Sequence, residues 1–345
     1  MRASKSYGVN NPIRDIFLNY IRRANQNEKL CVYIDYPFCQ RKCSYCIYES
    51  IPQPKSHDAI EAYEKALLFE LLEYRALFME RRPDCLYFGG GTPSLRERAA
   101  ISRIVESIPD YDSIPSIKVE LHPRDMNDDL IGYYAKVLRP HIVSLGVQSL
   151  DRESCCRQNR DYCPPSSIAR IVSRFHDYGI WVNVDLIALL ASDSEAAWAV
   201  FRRDLEIMRD MVKPDVITCL PNYLTLLDYP SQVLHLRRIL SEICDESYVP
   251  ASRKMLSLDM ADILQYGRND HWIATPDYWR FYAQDHRYSC SGPKTGGTSN
   301  QITIAFGGYG KHRVYSYLPD KSFVAYSSYD PQIGAFDYKI QQLER

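Results

Sequence analysis

The feature that most limits how this chain folds is a regular alternation between short apolar runs and longer stretches with helical spacing. Short apolar runs bounded by polar or turn-forming residues predict β-strands. Six such runs occur: CVYIDY (31–36), CLYFG (85–89), IKVEL (117–121), HIVSLGV (141–147), IWVNVDLIAL (180–189) and DVITCL (215–220). Strands that alternate with helices pair in parallel through right-handed crossovers, which predicts an α/β fold.

Helical spacing is clearest between the first two runs, in HDAIEAYEKALLFELLEYRALFMER. Large residues recur there every three or four positions, as expected for the buried face of a helix: Ile60, Tyr63, Leu67, Leu71, Tyr74 and Phe78. Six strand–helix units are too few to close an eight-stranded barrel. A partial (β/α)6 barrel and a doubly wound sheet both remain open, and we favour the partial barrel because of where the polar residues fall.

Past about residue 250 the alternation fades, and the chain becomes rich in tyrosine and tryptophan with glycine-rich pieces at GPKTGGTSN and FGGYG. We predict an N-terminal extension (1–30), the partial barrel (31–250) and a smaller aromatic-rich C-terminal lid or substrate segment (251–345). The lid candidates, which could equally form a hydrophobic cap on the open barrel, are Tyr266, Trp272, Tyr278, Trp279, Tyr282, Phe306 and Tyr309.

Charge and composition exclude several classes of protein. The chain carries 42 Lys and Arg against 43 Asp and Glu, a net charge of -1, so no basic field predicts nucleic-acid binding. The sequence contains neither an apolar signal segment nor a long apolar run, which predicts a cytoplasmic protein without a membrane partner. In a reducing cytoplasm, 11 cysteines favour metal ligation or buried thiols over a disulfide framework.

Residues with unusual chemistry follow the predicted strands. In strand order they are the cysteines of YIDYPFCQRKCSYC (33–46), GGGTPS (89–94), Glu120, Gln148, Asp185 and Pro221-Asn222. The carboxyl ends of parallel barrel strands meet at one rim, where the loops form the active site. The pattern therefore predicts a single site at that rim.

The cysteine loop holds Cys39, Cys43 and Cys46 with no fourth ligand nearby, since the nearest alternatives are Cys31 and His57. Structural zinc sites use four ligands. A [4Fe-4S] cluster held by three thiolates instead leaves one iron free to bind a substrate or cofactor. The spacing favours the cluster, while zinc with a distant fourth ligand and unligated thiols stay open as alternatives.

The Cys-x3-Cys-x2-Cys spacing resembles that of the radical S-adenosylmethionine (SAM) superfamily. The chain resembles in particular the oxygen-independent coproporphyrinogen III oxidase-like family, which includes two-SAM methyltransferase and cyclopropanase relatives. The resemblance spans roughly residues 31–225 and is carried, in family order, by YIDYPFC, YFGGGTPS, VELHP, SLGVQS with QNRDY, and VNVDLI.

The resemblance implies that Cys39, Cys43 and Cys46 ligate a [4Fe-4S] cluster whose open iron chelates SAM. Reductive cleavage of SAM would then give methionine and a 5'-deoxyadenosyl radical, with electrons from a donor such as flavodoxin or ferredoxin. The resemblance assigns the cluster-bound SAM to Tyr33, Gly90 and Glu120. A second SAM site is implied at Tyr45, Gly91, Thr92, Gln148, Arg160 and Asp185.

These residue types suit the assignment. Glycine exposes its backbone to a ligand, and arginine can donate two hydrogen bonds to a carboxylate. A carboxylate side chain can accept hydrogen bonds from ribose hydroxyls or from an ammonium group. Taken singly, other interpretations stay open: a buried Arg160–Asp185 ion pair, Gln148 as a helix cap, and GGGTPS as a tight turn. No catalytic residue is assigned from the sequence.

The chain departs from the family on the substrate side. Asp35 stands where histidine is common, Ala188-Leu189-Leu190 where Gly-Leu-Pro is common, and GGYGKHRVYS (307–316) where the family has GxGxxS. Within the last segment, Lys311–Arg313 is expected to be a solvated turn, or else a contact to an anionic substrate.

Three functions follow from these patterns. The favoured one is a radical SAM enzyme that modifies a small molecule, with a second SAM for methylation or cyclopropanation. The alternatives are a porphyrinogen oxidase or haem-handling relative, and a zinc-stabilised binding protein.

Overall fold

The structure is a computed structural model that describes residues 12–23, 28–46, 48, 51–188, 195–221, 239, 242, 248–250, 280–283, 301–319 and 324–341. The strands are β1 (Lys29–Tyr36), β2 (Phe38–Cys39), β3 (Ile51–Pro52), β4 (Cys85–Gly90), β5 (Ser116–Leu121), β6 (Ile142–Gln148), β7 (Trp181–Ala188), β8 (Val216–Pro221), β9 (Tyr248–Pro250), β10 (Arg280–Ala283), β11 (Gln301–Phe306), β12 (Val314–Tyr317), β13 (Val324–Asp330) and β14 (Ala335–Gln341). The helices are α1 (Pro12–Arg23), α2 (His57–Glu73), α3 (Arg75–Glu80), α4 (Arg98–Ser107), α5 (Asp128–Tyr133), α6 (Arg152–Arg157), α7 (Pro165–His176) and α8 (Glu195–Ile207).

All six predicted strands form the parallel centre of the main sheet, in the order β1-β4-β5-β6-β7-β8. Helices lie between them in the chain, so the predicted α/β arrangement of the partial-barrel type is confirmed. Within the described residues the sheet stays open, with β14 at one edge and β9 at the other.

Side chains alternate between the two faces of each strand, and the two faces differ in chemistry. Ile34, Val119 and Val184 belong to the hydrophobic core. Glu120 and Asp185, the neighbours in sequence of the two valines, are only partly buried. The alternation therefore leaves one face of the parallel strands polar, and this face carries the predicted site.

The helices cover the apolar face. Helix α1 contributes Ile13, Phe17 and Ile21 to the core. The predicted helix over 57–81 is interrupted at Tyr74, which ends α2 and precedes α3. None of the described helices is both long and apolar enough to cross a membrane.

The described part of the predicted C-terminal segment continues the sheet. Strand β11 pairs in parallel with β1, and β12, β13 and β14 follow in antiparallel order. Phe306 is buried in the core, where its ring centroid lies 4.9 Å from that of Tyr74. Tyr309 packs edge-to-face on Phe38 with ring centroids 5.0 Å apart. These two lid candidates therefore pack against other aromatic side chains of the fold.

Several other predicted positions lie outside what the structure describes. They are Leu189, Leu190, Asn222, Tyr266, Trp272, Tyr278 and Trp279, together with the side chain of Tyr282. The division at residues 30 and 250 stays a prediction.

Candidate cluster and cofactor site

The cysteine loop follows β1 at its carboxyl end and is anchored on two sides. Strand β2, which ends at Cys39, pairs with β3 beyond the loop. On the other side, the backbone N–H of Ser44 donates to the carbonyl of Gln158 at 3.1 Å, and the amide of Asn159 donates to the carbonyl of Lys42 at 2.8 Å. The segment after α6 therefore holds the middle of the cysteine loop through these two hydrogen bonds.

The cysteine sulfurs lie among hydrogen-bond donors. The hydroxyl of Thr92 donates to Sγ of Cys39 at 3.3 Å, and Nη1 of Arg160 lies 3.8 Å from Sγ of Cys43. Burial is the main cause that raises the pKa of the Cys39 and Cys46 thiols. Without a metal these thiols therefore stay protonated and weakly nucleophilic at neutral pH, and a bound metal would hold them as thiolates.

The spacing of the sulfurs bears on which metal fits. Among the described residues only the exposed group His57, Asp58 and Glu61 places three ligand atoms within 4.8 Å of one another, so the three cysteine sulfurs are spread more widely. Two sulfurs on one tetrahedral zinc lie about 3.8 Å apart, given a Zn–S distance of about 2.3 Å. A cluster binds each thiolate through a different iron, and the wider spread fits that arrangement.

The glycines at the end of β4 are required by packing against β1 and the cysteine loop. A Cβ atom at Gly90, where φ is +112°, would lie 2.4 Å from Oδ1 of Asp35. A Cβ at Gly91 would lie 2.9 Å from Sγ of Cys39. Only glycine permits such close approach, and the 3₁₀ turn Pro93–Leu95 follows directly. The motif thus forms a tight turn and also brings bare backbone against the cysteines.

Two stacked tyrosines and a carboxylate line the polar face beside the glycines. The rings of Tyr33 and Tyr87 stack with centroids 5.5 Å apart, and the hydroxyl of Tyr87 donates to Glu120. Burial raises the pKa of Glu120 to about 7, although this hydrogen bond and Lys118 oppose the shift. A cationic ligand here would favour the ionised form of Glu120, which fits its predicted contact with SAM.

Arg160 and Gln148 have side chains that both approach Gly146, and each carries one buried polar atom without a partner among the described residues. Nη2 of Arg160 donates to the carbonyl of Gly146, and both side chains approach Gly146 closely. Nε of Arg160 and Oε1 of Gln148 are buried and lack a hydrogen-bond partner among the described residues. Gln148 has φ +71° and does not cap α6, because Asp151 accepts from the first turn of that helix. Buried polar atoms without partners are rare and point to an absent ligand or water.

Asp185 is fixed by neutral groups. It accepts hydrogen bonds from the hydroxyl of Ser144 at 2.8 Å and from the amide of Asn183 at 2.7 Å. Asn183 in turn accepts from the hydroxyl of Thr218 at 2.7 Å. No ion pair joins Arg160 to Asp185 in the described part of the chain, so that alternative is not what the structure shows.

A contact that sequence reasoning missed joins the C-terminal turn to this site. Nε2 of His312 lies 2.9 Å from Oδ2 of Asp35, whose residue is 1% exposed. The solvated-turn prediction holds for Lys311 and Arg313, which are exposed, and is wrong for His312, whose side chain is 14% exposed. The apolar run QITIAF before the glycines was the available signal, because it predicts one more strand.

The structure separates the predicted site residues into two groups. Those that contact the cysteines or lie beside them are Tyr45, Gly91, Thr92 and Arg160. Those that lie on the strands nearby are Tyr33, Gly90, Glu120, Gln148 and Asp185. All of them belong to the carboxyl halves of the parallel strands or to the segments that connect one strand to the next.

The fold and the site together define a class of proteins that carry a three-cysteine loop at the carboxyl rim of an open parallel sheet. The sequence profile of the Radical SAM superfamily matches residues 33–205, half of the chain, and the chain belongs to this superfamily. Membership implies a [4Fe-4S] cluster and SAM as cofactors, a substrate, and a source of electrons.

Individual relatives match over shorter stretches. The oxygen-independent coproporphyrinogen III oxidase of Salmonella typhimurium is 28% identical over 187 residues, which cover 53% of this chain and 40% of the oxidase. A heme chaperone of Haemophilus influenzae is 27% identical over 139 residues, 38% of this chain and 36% of the chaperone. The chain thus matches well under half the length of these relatives.

A solved structure extends the comparison to the whole fold. The structure of coproporphyrinogen III oxidase from Escherichia coli aligns with a TM-score of 0.64 and 20% identity, covering 99% of this chain and 76% of the oxidase chain. At this identity the likeness establishes a common fold.

Proposed function

We propose that this radical SAM enzyme holds its cluster through Cys39, Cys43 and Cys46 and uses a second SAM to methylate or cyclopropanate a small molecule. When bound, the cluster supplies the electron that splits the first SAM. The chain's own residues then have to bind two SAM molecules side by side and keep water from the reacting atoms.

The first SAM is assigned to Tyr33, Gly90 and Glu120. Glu120 is a partly buried acceptor next to a tyrosine hydroxyl, and a cation or a donor such as a ribose hydroxyl would stabilise its ionised form. Gly90 presents backbone without a side chain at the end of β4. These features support binding of a cationic nucleoside beside the cysteines.

The second SAM is supported mainly by the buried Nε of Arg160 and Oε1 of Gln148, which lack partners among the described residues. A ligand with both an acceptor and a donor, such as an amino acid moiety, would satisfy them together. Thr92 donates to Cys39, Tyr45 lies beside Cys43 and Arg160, and Asp185 lies on the strand next to β6. Together these side chains could hold a SAM molecule next to the cluster.

The experiment is anaerobic reconstitution with iron and sulfide, followed by incubation with SAM and a reductant such as flavodoxin or dithionite. Formation of both 5'-deoxyadenosine and S-adenosylhomocysteine supports the proposal. Formation of 5'-deoxyadenosine alone contradicts the methyl-transfer part and favours oxidation.

The variant that isolates the second site is Gln148→Asn. Asparagine tolerates the positive φ at this position but is too short to place its amide at the same point. We expect S-adenosylhomocysteine formation to fall about tenfold while 5'-deoxyadenosine formation persists. Lys213→Asn is the matched control, because Lys213 also has positive φ, at 54°, and lies far along the chain in the turn before β8. If S-adenosylhomocysteine formation changes equally in the two variants, the support for a second SAM at Gln148 is removed.

A second candidate function is favoured by the similarity to the oxidase and to the heme chaperone. If the protein handles a tetrapyrrole instead, it should bind haem with a Soret band at stoichiometric ratio, or oxidise a porphyrinogen without forming S-adenosylhomocysteine. Haem titration of the reconstituted protein, with and without SAM, separates this function from methyl transfer.

A further inference from the structure

A buried carboxylate near the carboxyl end of β1 contacts three separate segments of the chain. Oδ2 of Asp35 lies 2.9 Å from Nε2 of His312, and Oδ1 accepts a hydrogen bond of 3.3 Å from the hydroxyl of Tyr33. The same Oδ1 is the atom that a Cβ at Gly90 would approach to 2.4 Å. One carboxylate therefore contacts the C-terminal turn and two residues assigned to the first SAM.

The turn that carries His312 is held firmly against β1. Gly307, with φ +104°, packs so closely that a Cβ there would lie 2.6 Å from the carbonyl oxygen of Asp35. The hydroxyl of Tyr63 donates to the carbonyl of Gly307 at 2.6 Å. The turn closes through the backbone N–H of Tyr309, which donates to the carbonyl of His312 at 2.9 Å. The backbone contacts of Gly307 and Tyr309 thus hold the turn in a position that places the His312 imidazole next to Asp35.

A carboxylate that is almost fully buried requires donors to stay ionised and in one orientation. For Asp35 the donors to the side chain are His312 and the hydroxyl of Tyr33. Loss of the imidazole would leave one oxygen without a partner in a buried site, and the carboxyl group would rotate or take up a proton. Either change alters the acceptor that fixes the Tyr33 hydroxyl.

We propose that Asp35 and His312 form a positioning pair that shapes the pocket of the first SAM by holding the Tyr33 hydroxyl and the Gly90 backbone in place. This inference rests on the proposed function, which assigns Tyr33 and Gly90 to that SAM. It makes the turn over residues 307–313 part of the cofactor site, although the turn follows the parallel core by more than 80 residues in sequence.

The test compares SAM binding with cluster content in the anaerobically reconstituted protein. Isothermal titration gives the Kd for SAM, and electron paramagnetic resonance of the reduced cluster shows the change that SAM induces. We expect His312→Gln and Asp35→Asn to weaken SAM binding about tenfold and to diminish the spectral change, with iron content unchanged. The exchange variant Asp35→His with His312→Asp brings the same two groups together but removes the carboxylate oxygen that accepts from the Tyr33 hydroxyl, so it should not recover the lost affinity.

A matched control exists elsewhere in the fold. Nε2 of His176 lies 2.8 Å from Oδ2 of Asp215, which precedes β8 at the opposite end of the sheet from the cysteine loop. His176→Gln removes a contact of the same chemistry and should lower the unfolding temperature without changing the Kd for SAM. Tyr33→Phe, which deletes only the hydroxyl, should reproduce part of the affinity loss, and its effect should not add to that of His312→Gln.

The outcomes separate cleanly. Wild-type protein that carries its cluster but does not bind SAM would overturn the proposed function itself. If the wild-type protein binds SAM and His312→Gln binds it with the same Kd, the positioning pair is overturned and the proposed function is not. If His312→Gln loses iron and unfolds at a lower temperature as well as losing SAM affinity, His312 has a general structural role and the positioning pair is overturned. The pair is also overturned if the losses of SAM affinity caused by His312→Gln and Tyr33→Phe add in the double variant.

Discussion

Asp35 and His312 are separated by 277 positions in sequence, yet their side chains lie 2.9 Å apart. Each position departs from the family that the chain resembles, Asp35 where histidine is common and His312 within the altered GGYGKHRVYS segment. The structure shows that the two departures form one contact. Strand β11 and the turn after it therefore pack directly on β1, the strand that precedes the cysteine loop.

The close approach of the turn to β1 predicts unequal costs for two glycine substitutions. Gly307→Ala places a Cβ 2.6 Å from a backbone oxygen, whereas a Cβ at Gly310 meets nothing within 4 Å. Both residues have positive φ, so Gly310→Ala should cost about 1 kcal/mol of unfolding free energy, and Gly307→Ala about 3 kcal/mol. Urea denaturation under anaerobic conditions measures both, and equal losses would contradict the close packing of Gly307 on the Asp35 carbonyl.

The cysteine loop predicts a clear effect of removing one ligand. Anaerobically reconstituted protein should be brown and hold about four irons per chain, and Cys43→Ala should lose both the iron and SAM cleavage. Cys156→Ala is the control, because Cys156 is an exposed free thiol and its loss should leave the iron content unchanged. Protein that instead contains one tightly bound zinc and no iron would refute the cluster assignment.

The guanidinium of Arg160 predicts a change in the reduction potential of the cluster. Its Nη1 lies 3.8 Å from Sγ of Cys43, and a nearby cation stabilises the reduced, more negative cluster. Arg160→Ala should therefore lower the midpoint potential by on the order of 50 mV, equivalent to roughly 1 kcal/mol for one electron. Arg160→Lys keeps the charge and should show a smaller shift. A redox titration followed by electron paramagnetic resonance decides, and an unchanged potential in the alanine variant would show that the contact is absent in the loaded protein.

A buried glutamate outside the site predicts how stability depends on pH. Glu70 on α2 is 4% exposed and accepts a hydrogen bond from Tyr338, and burial raises its pKa from 4.5 to about 8. Between these values the folded state binds more protons than the unfolded state, so this group lowers stability as pH rises through the window. Glu70→Gln should remove that dependence and stabilise the protein at pH above 8 by about 2 kcal/mol.

Chemical denaturation at about pH 5 and pH 9 tests this expectation, because these values lie near the pKa of Glu70 in the unfolded state and just above its pKa in the folded state. Glu61→Gln is the control on the same helix, because Glu61 is exposed and its substitution should change stability by less than about 0.5 kcal/mol. A Glu70→Gln protein whose stability still falls with rising pH as steeply as the wild type would contradict the assignment.

Local sequence determined the parallel core and the rim on which the site lies. The six apolar runs correspond to β1, β4, β5, β6, β7 and β8, because short apolar runs between helical stretches have few other ways to bury their side chains. Glu120 and Asp185 then face the polar side, since neighbouring residues of a strand point to opposite faces. The cysteine loop follows β1 directly, so its place at the rim was also available from the sequence.

Tertiary structure alone decided which distant segments meet at that rim. Nothing local indicates that β11 pairs with β1, that Gly307 packs on Asp35, or that His312 reaches the same carboxylate. Nor does spacing show that Arg160 turns to Cys43 while Asp185 bonds to Ser144. Strand pairing and side-chain partners across such separations depend on how the whole chain excludes water and satisfies its buried polar groups, and no short window of sequence contains that information.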